Sequence, residues 1–386
     1  MNPPVLTRKA ITKVQAAVVA VIIIIAIIAG VAYYYSTLGP TPTPATPTPK
    51  TPTPATPTPV TPTPPTPTPA TPTPATPTPA PVLIKAGYVV PAENIISLFE
   101  IPFFQESVLK DYGKKYKIDL LRLSSTPDLV AALAAGEIQI GHLATISFAS
   151  AIAKDVVPSG LIIIAGDAFD AYPGYYSFTC LTLTDSPINT VEDLRGKKIG
   201  INALGTAVHF AASAVLKAHG IDPKKDVTFV EVGPFTALAP SLKDKKIDAG
   251  IFPPAYYWPV IGEGIYKKVF DSKEGFTYPY ANLFLCARGD FLAAQKDAVK
   301  AFLADYDRLM NYIYTPANRD SVVDVVSKHF GLSKEALAQY WLTEKDFYRS
   351  AKVDKVGVQY GFTKLFELGF MDKLLDVTPY VYVEQT

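Results

Sequence analysis

The stretch GKKIGINALGTAVHF, residues 196–210, places Gly205 and Thr206 between an apolar run and a helical pattern. Glycine permits close backbone approach or a positive φ. Threonine in that place either caps the helix or offers its hydroxyl. The chemistry available is non-covalent: the free N–H groups of a helix start hold an anion or a polar group without any arginine. Asn202 and Ala207 flank the turn, and Thr145 and Ser147 hold the corresponding place after an earlier apolar run, IGHLA. Taken alone, each corner is also an ordinary helix cap.

Other candidates are more diffuse. FPPAYYWP (252–259) is stiffened by prolines and carries Pro254, Tyr256, Tyr257 and Trp258, which suit either a cleft wall or plain packing between lobes. Glu93 and Asn94 follow the first apolar run of the body, as ligand contacts or as a surface loop. GDAFDAYPGYY (166–176) brings Asp167, Asp170, Tyr172 and Tyr175 to an expected hinge, where they could close over a ligand. Two carboxylates invite acid–base chemistry, but turn aspartates commonly cap or form Asx turns, so no catalytic residue is assigned. His142 reads as an interior histidine and His209 as a packing or surface residue. The four histidines are scattered and the two cysteines form no Cys-x-x-Cys. No metal site and no cofactor are expected. Cys180 and Cys286 lie on two β-rich segments expected to run side by side, so a disulfide and two buried free thiols both stay open.

The elements that must position these residues alternate. VLIKAGYVV (82–90) reads as a buried strand. Helix around 102–112, strand 117–123, helix 126–136, strand 137–143, a helix from Thr145 and strand 161–168 follow. The same order returns as strand 197–203, helix 206–219, strand 226–232, helix 234–244 and strand 246–252. Leu133, Ile138 and Gly141 recur at identical offsets as Leu242, Ile247 and Gly250. Such alternation predicts parallel sheets with helices on both faces, here built twice. Two extended segments, 175–188 and 280–291, are expected to cross between the lobes. The helical tail (290–314, 317–330, 333–345 and 354–370) is expected to pack on the first lobe.

The N-terminal part is of another kind. Of the 36 basic residues only Arg8, Lys9, Lys13 and Lys50 lie in 1–81, while all 35 acidic residues lie beyond it, leaving the body at about −3. That near-balance argues against nucleic acid as a partner. Val14–Tyr35 carries no charge and matches the roughly 20 apolar residues of a membrane-spanning helix. The basic residues before it put the N-terminus (1–13) in the cytoplasm and the body outside, with Tyr33–Tyr35 at the interface. A cleaved secretory signal is the alternative. Eight copies of TPTPX run from Thr41 to Ala80. They favour polyproline II and make 36–81 a semi-rigid stalk, about 120 Å long if extended. Threonine beside proline also suits an O-glycosylated stalk.

From residue 82 onward the sequence resembles the extracytoplasmic solute-binding proteins of ABC importers, in the branch binding nitrate, sulfonates, taurine and thiamine precursors. The resemblance rests on IKAGYV, LVAALAAGEIQIG, DSPINTVEDLRGKKIGINALGTA, SLKDKKIDAGIF and FTKLFELGFMDKL. VPAENIISLFEIPFFQ, after the first strand, departs from the small-residue pattern of that branch. TRKAITKVQAAVV in turn looks like the pilin-type signals of archaeal surface proteins, cut near Ala10 with the apolar helix retained. The resemblance implies an α/β two-lobe periplasmic-binding-protein-like (type II, Venus flytrap) fold, with lobe 1 as 82–179 and 286–386 and lobe 2 as 180–285. A small-molecule solute, a sulfonate- or nitrate-like anion or a small organic, aromatic ones included, would bind between the lobes. The closed, monomeric body would dock on the permease subunits in the membrane. An enzyme like the thiamine-pyrimidine synthases, or a surface adhesin, is the alternative function. The synthases' Cys-rich motif is not found here.

Overall fold

The computed structural model describes residues 80–382. The expected anchor 14–35 and all but the last two residues of the stalk 36–81 lie outside the described residues. Among those described, no helix is long and apolar enough to cross a membrane.

Eleven strands form two sheets: β1 (Val82–Tyr88), β2 (Tyr116–Arg122), β3 (Ile140–Ala144), β4 (Leu161–Asp170), β5 (Thr179–Leu183), β6 (Lys198–Ile201), β7 (Thr228–Glu231), β8 (Ala249–Phe252), β9 (Tyr266–Asp271), β10 (Tyr280–Arg288) and β11 (Tyr348–Arg349). The first sheet runs β11-β4-β10-β3-β1-β2 and the second β7-β6-β8-β5-β9. β1 pairs in parallel with β2 and β3, and β6 in parallel with β7 and β8. On the far side of β3 lies antiparallel β10, and on the far side of β8 antiparallel β5. The two sheets therefore repeat one plan, and the chain trades strands between them. It leaves β4 of the first sheet to supply β5 of the second, then leaves β9 to return β10 to the first.

The echo of Leu133, Ile138 and Gly141 in Leu242, Ile247 and Gly250 has a packing cause. Gly87 pairs with Gly141 across β1 and β3, and Gly200 with Gly250 across β6 and β8. A Cβ on Gly87 would stand 2.4 Å from Leu129 and 2.8 Å from Ile138, and one on Gly200 would stand 2.4 Å from Ile247. In both sheets a glycine pair makes a trough into which an isoleucine just before the third strand is pressed. Close packing leaves no slack for an added carbon there.

Tail residues such as Val299, Phe302, Tyr306 and Trp341 share a core with Ile84, Phe99 and Phe104, while Val358 and Phe362 join Phe148 and Phe284 in another. The tail packs on the first sheet, as its place after the return crossing predicts. Several expectations need correction. β10 pairs along its whole length with β4 and β3, so a lobe boundary at 285/286 falls inside one strand. Within FPPAYYWP, Phe252 ends β8 and a helix, Pro254–Ile261, follows Pro253, because a proline at its first turn already has helical φ. Asp167 and Asp170 lie on β4, not in a turn. Cys180 on β5 and Cys286 on β10 are free and buried. They lie on strands of different sheets, and two buried free thiols is the alternative the structure shows. Burial pushes both thiols far above the usual thiol range.

Candidate functional site

The carboxyl ends of β1, β6 and β8 point at one place. There a cavity of about 50 Å³ is lined by Val89, Val90, Glu93 and Asn94 after β1, by Asn202, Thr206, Ala207 and Val208 after β6, and by Pro253 after β8. Thr126, Phe178, Phe235, Leu283 and Phe347 complete it. Ligand sites of open α/β sheets lie beyond such strand ends. The volume accommodates roughly four water-sized groups. No lysine or arginine is in the lining. An adjoining recess of about 230 Å³ shares Val89, Val90 and Phe235 and adds Arg122 and Tyr256.

Polar groups in the cavity wall are held by the backbone. Asn94 Oδ1 accepts the N–H groups of Val89 and Val90 at 2.9 and 2.8 Å, which fixes the amide's orientation and turns Nδ2 away from the loop. The helix Ala207–Ala218 begins after Thr206, whose side chain makes no capping bond. The Thr206 hydroxyl instead lies 2.7 Å from the Ala203 carbonyl and 2.9 Å from Asn202 Oδ1. Ala207 and Val208, the first residues of that helix, line the cavity. Gly205 adopts φ +74°, which only glycine takes without strain, and its N–H donates to His209 Nδ1 at 3.1 Å. His209 therefore braces the turn. Burial, and then Lys224, lower its pKa to about 4, so it stays neutral and able to accept.

Hydrogen bonds bridge the elements of the second sheet to those of the first sheet and its tail, among them Lys224 Nζ to the Gly369 carbonyl at 2.7 Å and the following. The Ser147 hydroxyl donates to the Gly205 carbonyl at 2.7 Å and also lies 2.6 Å from Thr126 Oγ1. The Ala255 N–H, in the first turn of the helix Pro254–Ile261, donates to Glu93 Oε1 at 2.9 Å. Trp258 Nε1 donates to the Lys345 carbonyl at 2.7 Å.

Beneath the cavity lies a buried charge cluster. Arg349 Nη1 donates to the Glu93 carbonyl at 2.6 Å and to Asp167 Oδ1 at 2.8 Å, while Nη2 and Nε donate to Asp346 at 3.1 and 3.3 Å. Asp167 Oδ2 lies 2.6 Å from His142 Nε2 and accepts the Ile95 N–H at 3.1 Å. Burial alone would raise the Asp167 pKa, but Arg349 and His142 outweigh it and hold the group ionised, below the usual range. Glu93 is the opposite case. Burial, then the charge of Asp346, push it up to about 8 against the opposing pull of Arg349. Asp170 is raised by burial despite bonds from Ser272, Phe178 and Tyr280.

Of the expected contacts, Glu93, Asn94, Asn202, Thr206 and Ala207 line the cavity. Gly205 and Ser147 join across its edge. Thr145 lies behind it, its hydroxyl on the Ala281 carbonyl, and Pro254 only starts its helix. Tyr256 lies in the adjoining recess and Trp258 is tied to Lys345. Tyr175 is not in the lining. It packs edge-on against Tyr172 and Tyr348 at 5.6 and 5.3 Å. Phe178, Phe235, Leu283, Phe347 and Arg349 were not foreseen. Thr126 was legible as the start of a helix after β2; the others carry no local signal.

With the geometry in place, the chain can be set beside known proteins. Residues 173–318 match the family described as NMT1/THI5 like. The alkanesulfonate-binding protein SsuA of Xanthomonas axonopodis pv. citri, bound to MOPS, superposes with a TM-score of 0.64 at 18% identity, over 78% of this chain and 99% of that one. The fold is that of the two-lobe periplasmic binding proteins. The periplasmic nitrate-binding protein NrtA of Synechocystis PCC 6803 has the same fold, with a TM-score of 0.59 at 14% identity over 78% of this chain and 84% of that one. In sequence the chain is 28% identical over 204 residues to the taurine-binding periplasmic protein of Escherichia coli (strain K12). That match spans 52% of this chain and 58% of the relative. The chain thus resembles the sulfonate-, nitrate- and taurine-binding branch of solute-binding proteins.

Proposed function

We propose that this chain is the solute-binding component of an ABC importer, and that it closes its two lobes on a small solute with an oxyanion head. The make-up of the cavity wall supports the reading: Asn94, Asn202, Thr206 and the start of the helix Ala207–Ala218 lie together at the strand ends, with no lysine or arginine among the lining residues. Neutral donors of this kind hold an anion with little desolvation cost. The aromatic rings of Phe178, Phe235 and Phe347 suit a short apolar body behind the head. The proteins similar to this one, named for alkanesulfonate, nitrate and taurine, point the same way. Gly205 and Ser147 are assigned to closure, and the other lining residues to contact.

In the same proposal residues 14–35 anchor the chain, the Thr/Pro stalk spaces the body from the membrane, and the closed monomer docks on permease subunits. Isothermal titration of the chain with nitrate, ethanesulfonate and taurine tests the binding function. A Kd in the micromolar range or tighter for one of them, with a smaller radius of gyration in solution scattering, supports it. No binding to any of the three removes the oxyanion reading.

A further inference from the structure

Glu93 stands out in the cavity wall. It is 4% exposed and makes its side-chain bond through one oxygen: Oε1 accepts the Ala255 N–H at 2.9 Å. Among the described residues Oε2 has no protein partner, and Glu93 itself lines the cavity. With the Ala255 N–H on Oε1, a protonated Glu93 carries its proton on Oε2. Resting on the oxyanion reading above, we propose that Glu93 is the specificity-determining residue: as a carboxylic acid it donates its Oε2 proton to the bound head group, so the site selects anions and binds them only in company with that proton.

The surroundings support the protonated form. Asp346 and Asp167 face the loop of Glu93 from the tail and from β4, while the one nearby guanidinium, Arg349, already bonds both aspartates and gives Glu93 only its backbone carbonyl a donor. His142 is engaged by Asp167. Tyr256, Tyr176 and Tyr340, whose own pKa values are raised, bring no cation. Burial and the charge of Asp346 hold the carboxyl's pKa up at about 8. A proton-bearing Glu93 adds a third neutral donor to those of Asn94 and the helix start. An ionised Glu93 would repel the anion and favour an ammonium group instead.

The sign of the pH dependence separates these alternatives. Anion binding raises the carboxyl's pKa further, so affinity is level below the free value and falls as pH rises above it. Titrating the full chain with ethanesulfonate at pH 6 and pH 9.5 should show affinity lower at the higher pH by roughly tenfold or more. Calorimetry at pH 9 in two buffers of different ionisation enthalpy should register proton uptake on binding. Glu93→Gln, which keeps a donor and cannot ionise, should remove both the pH dependence and the proton uptake. Equal wild-type affinity at the two pH values overturns the role of Glu93 and leaves the oxyanion reading intact. Binding of taurine but not of ethanesulfonate, lost in Glu93→Gln, overturns it in favour of an ammonium group on the solute. No binding of ethanesulfonate, taurine or nitrate at either pH overturns the oxyanion reading and this inference together. In that case Glu93 can still be followed by carboxyl-carbon NMR, in which an ordinary titration near pH 4 would independently exclude the acid form.

Discussion

The hydroxyl of Ser147 and the carbonyl of Gly205 meet at 2.7 Å across the edge of the cavity. One belongs to a helix behind the first sheet and the other to the turn after β6, so the bond exists only while the two sets of elements are together. Ser147→Ala should therefore act on closure more than on folding. A neutral hydrogen bond contributes about 0.5–1.5 kcal/mol, so solute affinity should drop by roughly two- to tenfold with little change in Tm. Titration calorimetry and thermal unfolding of the ligand-free chain check both halves.

Gly205→Val tests the turn itself. With φ at +74°, a β-branched side chain is forced into a region it avoids, at a cost on the order of 1–3 kcal/mol. The chain should still fold, because a Cβ at this position meets only Pro127, at 3.6 Å. Affinity should fall at least tenfold. Thr206→Ala should weaken binding less, since its hydroxyl orders Asn202 and the loop without capping the helix. If both variants bind as the parent does, the turn takes no part in the site.

His209 links the turn to acid. Its pKa is lowered from 6.5 to about 4, so the folded chain disfavours the protonated ring. Below pH 4 both folded and unfolded chains carry the proton. Between 6.5 and 4 only the unfolded chain gains it, and stability falls with decreasing pH by about 1.4 kcal/mol per unit at most. Protonation also removes the acceptor for the Gly205 N–H. Urea unfolding at pH 7 and pH 4.5 should show this loss in the parent and a smaller one in His209→Gln. Equal losses would assign the acid sensitivity to other groups.

Arg349→Met should be among the most damaging single substitutions. The side chain is fully buried and serves Asp167, Asp346 and the Glu93 carbonyl together. Removing one partner of a buried charge cluster costs about 3–5 kcal/mol because the remaining charges are stranded. Denaturant unfolding measures the loss. A change below about 1 kcal/mol would mean that water replaces the guanidinium without penalty.

The two cysteines give a covalent check. Both are free and fully buried on strands of different sheets. Alkylation under native conditions should leave them unmodified, and alkylation after unfolding without reductant should label both. A chain labelled only after reduction would contradict the free state of both thiols.

How far the sequence revealed this follows from the physics of each element. The repeated strand–helix order was visible because buried parallel strands are continuous apolar runs and the helices between them have a clear period. The echo of Leu133, Ile138 and Gly141 was visible before its cause, the glycine troughs under Ile138 and Ile247. β9 was missed because YKKVFD alternates charged and apolar residues too briefly. β11 was missed because two residues carry no pattern at all. The candidate site was legible where strand ends meet helix starts, at Asn202, Thr206 and Ala207. It was not legible at Phe347 and Arg349, whose position is set by how the tail returns to the first sheet. The sequence left the state of the two cysteines open between a disulfide and buried free thiols, because order along the chain does not disclose which sheet a crossing strand joins; in the structure both are free.

Arg349 reaches the Glu93 carbonyl across 256 residues of sequence, and Phe347 beside it closes the cavity wall. A ribosome delivers β1 and its loop long before β11. The growing chain can therefore pair its parallel strands long before the floor of the cavity exists. Completion of the cavity waits for this late segment, and a product terminated before residue 347 would carry β1 to β10 and lack Phe347 from the cavity wall and Arg349 beneath it.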